Sequence, residues 1–97
     1  MIPQEYINKI FDKIGKANLA NALNISDEIR EYYSADELFS GLIAKCNEEV
    51  IDNPEKCKKI VEVISKWSSY YYSDVAYNKN IILDNFIMEL CSAMRSL

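Results

Sequence analysis

The stretch SADELFSGLIAKC, residues 34–46, decides how the rest of the chain must be arranged. It opens with the capping-box form S-x-x-E, in which Ser34 accepts from the Glu37 N–H and the Glu37 carboxylate reaches back to the Ser34 N–H. Behind the box, Leu38, Phe39, Leu42, Ile43 and Cys46 recur at helical spacing. One stripe of this helix is therefore apolar and has to be covered by other elements. A chain of 97 residues is one domain by length, so residues 1–97 are read as a single helical domain that supplies its own cover.

Downstream, Asn53-Pro54 marks the next helix start, with Asn53 as N-cap and Pro54 in the first turn, where a missing N–H is harmless. Cys57, Ile60, Val61, Ile64, Trp67 and Tyr71 then share a face. Glu55 with Lys59 and Glu62 with Lys66 form i, i+4 pairs on the outer side. A last helix is expected from near Asn80, with Leu83, Phe86, Ile87, Leu90, Met94 and Leu97 as its stripe and Ile82, Cys91 and Ala93 widening it.

Upstream, Pro3 opens a helix that carries Tyr6, Ile7, Ile10, Phe11 and Ile14 on one side, and Gly15 is placed to end it. Leu19, Ala20, Ala22 and Leu23 suggest a short helix interrupted near Asn24–Ser26, followed by a second short segment, SDEIREYY. No period-2 alternation, hairpin dipeptide or internal repeat is present. The expected fold is all-α: a compact helical bundle of about four main helices plus one or two short ones.

Nearly half the residues are apolar, and glycine and proline occur twice each, so the chain is globular in composition. Its net charge of −4 is uneven. Asp27, Glu28, Glu31, Asp36, Glu37, Glu48, Glu49, Asp52 and Glu55 face only Arg30 and Lys45, a net of −7 between residues 27 and 55. Such a segment repels phosphates and attracts a basic partner; otherwise it is a solvated face that serves solubility. No basic region followed by an apolar run opens the chain and no apolar stretch is long enough for a membrane span, so a cytoplasmic protein is expected. Cys46, Cys57 and Cys91 are odd in number, lack a CxxC pair and fall on apolar faces, which suits reduced core thiols.

The missing residue types argue against an enzyme. Histidine is absent, removing the usual general base, the Cys-His and Ser-His nucleophile pairs and the commonest zinc ligand. Two glycines cannot build a phosphate-cradling loop, and the acids do not follow calcium-loop spacing. No cofactor or metal is expected.

NLANALNISDEIREYY, residues 18–33, resembles a helix-turn-helix: Leu19, Ala20 and Leu23 supply the first helix, Asn24 the left-handed turn residue and Ser26 the cap of the second. That second helix would begin with Asp27 and Glu28, continue with Glu31 and offer only Arg30 to phosphate, which disfavours nucleic acid as a partner.

The run KWSSYYYSDVAYNKN, residues 66–80, contains the only tryptophan and four of seven tyrosines. Successive helical residues point about 100° apart. Tyr71 therefore joins the core stripe, Trp67 and Tyr72 flank it, and Tyr70 and Tyr77 face outward unless the N-terminal segments fold over them. Outward tyrosines are efficient binding anchors.

In size, acidity and helical content the chain is similar to the immunity proteins of nuclease bacteriocins and related contact-dependent toxins. That similarity implies a non-enzymatic inhibitor, immunity-type or antitoxin-like, which masks a basic partner such as a toxin nuclease or effector. Under this expectation the partner-binding residues are Asp27, Glu28, Glu31, Asp36, Glu48, Glu49, Trp67, Tyr70 and Tyr77. The alternatives are a structural or oligomerising helical module, with tyrosines at a subunit interface, and a helix-turn-helix-like regulator.

Overall fold

The computed structural model describes residues 1–52, 54–73 and 78–95. Among them the chain forms five α-helices and no strand: α1 (Gln4–Gly15), α2 (Leu19–Arg30), α3 (Ala35–Asp52), α4 (Pro54–Tyr71) and α5 (Lys79–Arg95). It is an all-α bundle.

The capping box forms as its spacing requires. The Glu37 N–H donates to Ser34 Oγ at 3.1 Å and the Ser34 N–H to Glu37 Oε1 at 3.2 Å. The Ser34 backbone bond holds the Glu37 carboxyl below its ordinary pKa. Pro54 opens α4 as expected, while the cap assigned to Asn53 lies outside the described residues. α5 starts at Lys79, next to the expected Asn80, and is capped by Asn78, whose side chain accepts from the N–H groups of Asn80 (3.0 Å) and Ile81 (3.2 Å). Pro3 stands just before α1 instead of within it, its carbonyl accepting from the Tyr6 N–H at 3.0 Å.

The end of α1 departs from expectation in an instructive way. Gly15 is the last helical residue, but the left-handed position belongs to Ala17, at φ 54°. The Ala17 N–H donates to the Ile14 carbonyl and the Asn18 N–H to the Lys13 carbonyl, each at 2.9 Å, which is a Schellman motif. Asn18 then caps α2 by accepting from the Asn21 N–H at 3.2 Å. Two helix ends are satisfied within three residues.

α2 is a single helix, where two short segments were expected. Ala22, Ile25, Ser26 and Ile29 are buried at the helical spacing i, i+3, i+4, i+7, so one buried stripe runs straight through the supposed interruption. Asn24 is exposed on the other side, where its weak helix propensity costs only a few tenths of a kcal/mol. Burial of the stripe outweighs that. The helix-turn-helix reading of residues 18–33 falls with it, since Asn24 makes no turn and Ser26 lies inside the helix.

α3 and α5 each pack against all four other helices, whereas α4 touches only α3 and α5 among the described residues. This explains the widths of the stripes. α5 buries Leu83, Phe86, Ile87, Leu90, Cys91, Ala93 and Met94, while α4 fully buries only Ile60 and Tyr71. Val61, expected inside, is 44 % exposed, because no helix covers that flank of α4. Leu97 lies outside the described residues. Tyr6 is also exposed, at the rim of the Ile7, Ile10, Phe11 and Ile14 stripe.

Aromatic rings join α3, α4 and α5. Phe39 and Tyr71 stack with centroids 4.1 Å apart and planes within 6°, and Phe86 meets Phe39 edge-on at 5.0 Å. Gly41 lets α1 approach α3: a Cβ there would stand 2.7 Å from Ile7 Cδ1. Cys46 and Cys91 are buried and Cys57 half-buried, all as free thiols. Burial, with a contribution from Glu49, pushes Cys46 up to about 12, so it stays protonated and unreactive at neutral pH. No described helix is long and apolar enough to cross a membrane.

Candidate partner-binding face

Hydrogen bonds between helix ends show which ends meet. The Tyr71 hydroxyl donates to Asp36 Oδ1 at 2.6 Å, Lys79 reaches the same oxygen at 3.3 Å, and Arg30 reaches Asn80 and Asp84 on α5. The C-termini of α2 and α4 and the N-termini of α3 and α5 therefore share one end of the bundle. The start of the chain joins them there, the Met1 ammonium pairing with Glu37 at 3.2 Å.

Of the nine residues singled out in the sequence, most are engaged inside the protein. Asp27 pairs with Arg30 at 2.9 Å, and Arg30 bridges on to Asp84 at 2.6 Å and to the Asn80 carbonyl at 3.3 Å, tying α2 to α5. The one base of the supposed recognition helix is thus a structural tie. Asp36 is held below its ordinary pKa by the hydrogen bond from Tyr71 and then by Lys79, while burial together with Asp36 raises that of Tyr71. Glu48 pairs with Lys45 at 3.4 Å and Glu49 with Lys56 at 3.5 Å. Those two also lie at the far end of α3, about 20 Å from Asp36 at 1.5 Å rise per residue.

Trp67 is half-buried and donates its indole N–H to Glu89 Oε2 at 2.6 Å; Lys66 donates to the other oxygen at 2.6 Å and sits 4.9 Å from the indole centre. Burial opposes ionisation of Glu89, but these two bonds outweigh it and its pKa is lowered. Lys66 thus serves α5 instead of Glu62 on its own helix. Tyr70 is 53 % exposed and leans on Trp67 with ring centroids 5.4 Å apart, so the N-terminal segments do not cover it. Tyr77 lies outside the described residues.

Glu28 and Glu31 differ from the other four carboxylates, Asp27, Asp36, Glu48 and Glu49. Both are exposed on the last turn of α2 and just beyond it, and neither has an ion-pair partner among the described residues. Beside them lies a depression of about 460 Å³ lined by Tyr6, Glu28, Ile29, Tyr32 and Tyr33. The volume is in the lower part of the roughly 300–1,000 Å³ range of ligand pockets. Of its lining residues Ile29 is buried, whereas Tyr6 is 42 % exposed and Tyr32 81 % exposed. The turn that presents the tyrosines is held by backbone bonds from Tyr32 (3.1 Å) and Tyr33 (2.9 Å), both to the Ile29 carbonyl.

The charge placement is unfavourable to the fold itself. A helix C-terminus carries partial negative charge from its open carbonyls, and carboxylates there raise the free energy by about 0.3–1 kcal/mol each. Arg30 offsets this only in part, being shared with Asp27 and Asp84. The acids that end α3 are different, because α4 begins two residues after Asp52 and brings its positive end alongside.

Tyr6, Tyr32 and Tyr33, which line this depression, are not among the nine residues expected from the sequence. Tyr6 fits the helical stripe of α1 by spacing, and the expected segment SDEIREYY runs on through Tyr32-Tyr33 and so hides the helix end at Arg30; the adjacent Tyr-Tyr after Glu28 and Glu31 is the available signal. Among the described residues, no three cysteine or carboxylate side chains converge as a metal site. Compared with known proteins, the chain matches no family model, no curated protein and no solved structure.

Proposed function

We propose that the protein is a non-enzymatic binding protein that masks a basic protein partner, in the manner of an immunity or antitoxin protein. The observation that carries this reading is the end of α2. Among the described residues Glu28 and Glu31 have no ion-pair partner, and they flank the exposed Tyr32 beside a concavity that Glu28 helps to line, at a place where those charges disfavour the helix. Carboxylates speed encounter with a basic surface, and tyrosines supply contact area with little side-chain entropy to lose. Tyr70, exposed at the same end of the bundle, extends the surface available to a large partner.

The test begins with capture of the partner from the source cells and continues with the purified pair. Glu28→Lys with Glu31→Lys should slow association severalfold at low salt, with the difference shrinking as salt is added. Tyr32→Ala should speed dissociation. A partner whose affinity ignores both charge reversal and salt overturns the reading.

A further inference from the structure

We infer that the depression lined by Tyr6, Glu28, Ile29, Tyr32 and Tyr33 receives an arginine side chain of the basic partner, an assignment that rests on the proposed function and gives it a point of attachment. Three tyrosines, one carboxylate and the buried Ile29 line the depression. Among the described residues, none of the three rings stacks on a neighbour, none of their hydroxyls has a side-chain hydrogen bond, and Glu28 has no ion-pair partner. Among the described residues the Glu28 carboxylate and the three hydroxyls therefore lack a side-chain partner, unlike Trp67, Tyr71 and Asp36.

A cation is favoured by three features together: the ring faces, which attract positive charge, the Glu28 carboxylate, and the negative end of α2. Arginine fits better than lysine because its planar guanidinium can lie on a tyrosine face while donating two parallel N–H bonds to a carboxylate, and because it is the more weakly hydrated cation. The neighbouring hollow lined by Asp27, Arg30, Glu31, Asn80 and Asp84 already holds a guanidinium, that of Arg30, between carboxylates. The groove between α1 and α3 is less suited, since its rim carboxylates Asp36, Glu37 and Glu48 are engaged.

The test needs no partner. N-acetyl-arginine amide is titrated into the protein and followed by NMR, beside the neutral isostere N-acetyl-citrulline amide and N-acetyl-lysine amide. Expected are saturable shifts of the Tyr6, Tyr32 and Tyr33 ring signals and the Glu28 amide with arginine, weaker ones with lysine and none with citrulline. Glu28→Gln and Tyr32→Ala, both at exposed positions, should each weaken the arginine response about threefold or more. Equal responses to citrulline or lysine, shifts that do not saturate, or shifts centred on Tyr70 overturn the assignment. A partner whose affinity depends on Glu28 and Glu31 while the arginine titration is silent removes the arginine site and leaves the proposed function standing. Saturable arginine binding in a protein whose partner ignores charge reversal does the reverse.

Discussion

Exchanging two residues at the end of α1, Gly15→Ala with Ala17→Gly, should stabilise the protein. Ala17 holds φ 54°, where an L-residue with a Cβ is disfavoured by about 1–2 kcal/mol. Glycine there removes that strain but adds unfolded-state entropy worth about 0.5–1 kcal/mol, leaving a net gain of roughly 0.5–1 kcal/mol. Gly15 is helical with no positive φ, and a Cβ built on it meets nothing within 4 Å. Alanine there should gain up to about 1 kcal/mol of helix propensity, less near a fraying end. Together the gain is about 1–1.5 kcal/mol, and each kcal/mol raises Tm by about 4–8 °C in a domain of this size. Urea unfolding of both single variants and the pair, followed by circular dichroism, measures it. The ordinary reading of a glycine at a helix end makes the opposite forecast, that Gly15→Ala is harmful and Ala17→Gly idle. That outcome would refute the assignment of the Schellman turn to Ala17.

Three further changes test the energetics. Ser26 is buried with no hydrogen-bond partner for its Oγ among the described residues, so Ser26→Ala should raise stability by about 1 kcal/mol in chemical denaturation; a loss instead would mean the hydroxyl is bonded. Asp36 has a folded pKa below its ordinary value of 3.8, so its contribution is present above that value and disappears as pH falls through the folded pKa. Tyr71→Phe removes the chief cause and should lower stability at neutral pH by about 1 kcal/mol, and by less in acid, which a pH series of thermal melts would show; a pH-independent loss contradicts this account. Glu28→Gln with Glu31→Gln should leave the fold as stable or a few tenths of a kcal/mol more stable while weakening partner binding, a combination that a purely structural role for these residues forbids.

Legibility followed the range of the interactions. Ser34 and Glu37, three residues apart, announced their cap because the capping box is a local structure. Tyr71 was assigned to the core from spacing alone, since it continues a stripe that starts at Cys57 and Ile60. Asn24 misled because local propensity and the buried stripe disagree there, and the stripe prevailed. The acidic block resolved only in three dimensions: Arg30 reaches across 54 positions to Asp84 and Tyr71 across 35 to Asp36, and no pattern along the chain pairs them.

The amino-acid sequence by itself determined an all-α chain, its strongest cap and most of its buried stripes, because turns, caps and helical period act within a few residues. Only the tertiary structure decided which carboxylates are engaged and which face outward, because ion pairing depends on which helix ends meet. Among the described residues it left Glu28 and Glu31 without an ion-pair partner, and it gathered Tyr6, from the first turns of the chain, beside Tyr32 and Tyr33. The physical reason is that α3 and α5 contact every other helix, which draws residues distant in sequence to one end of the bundle.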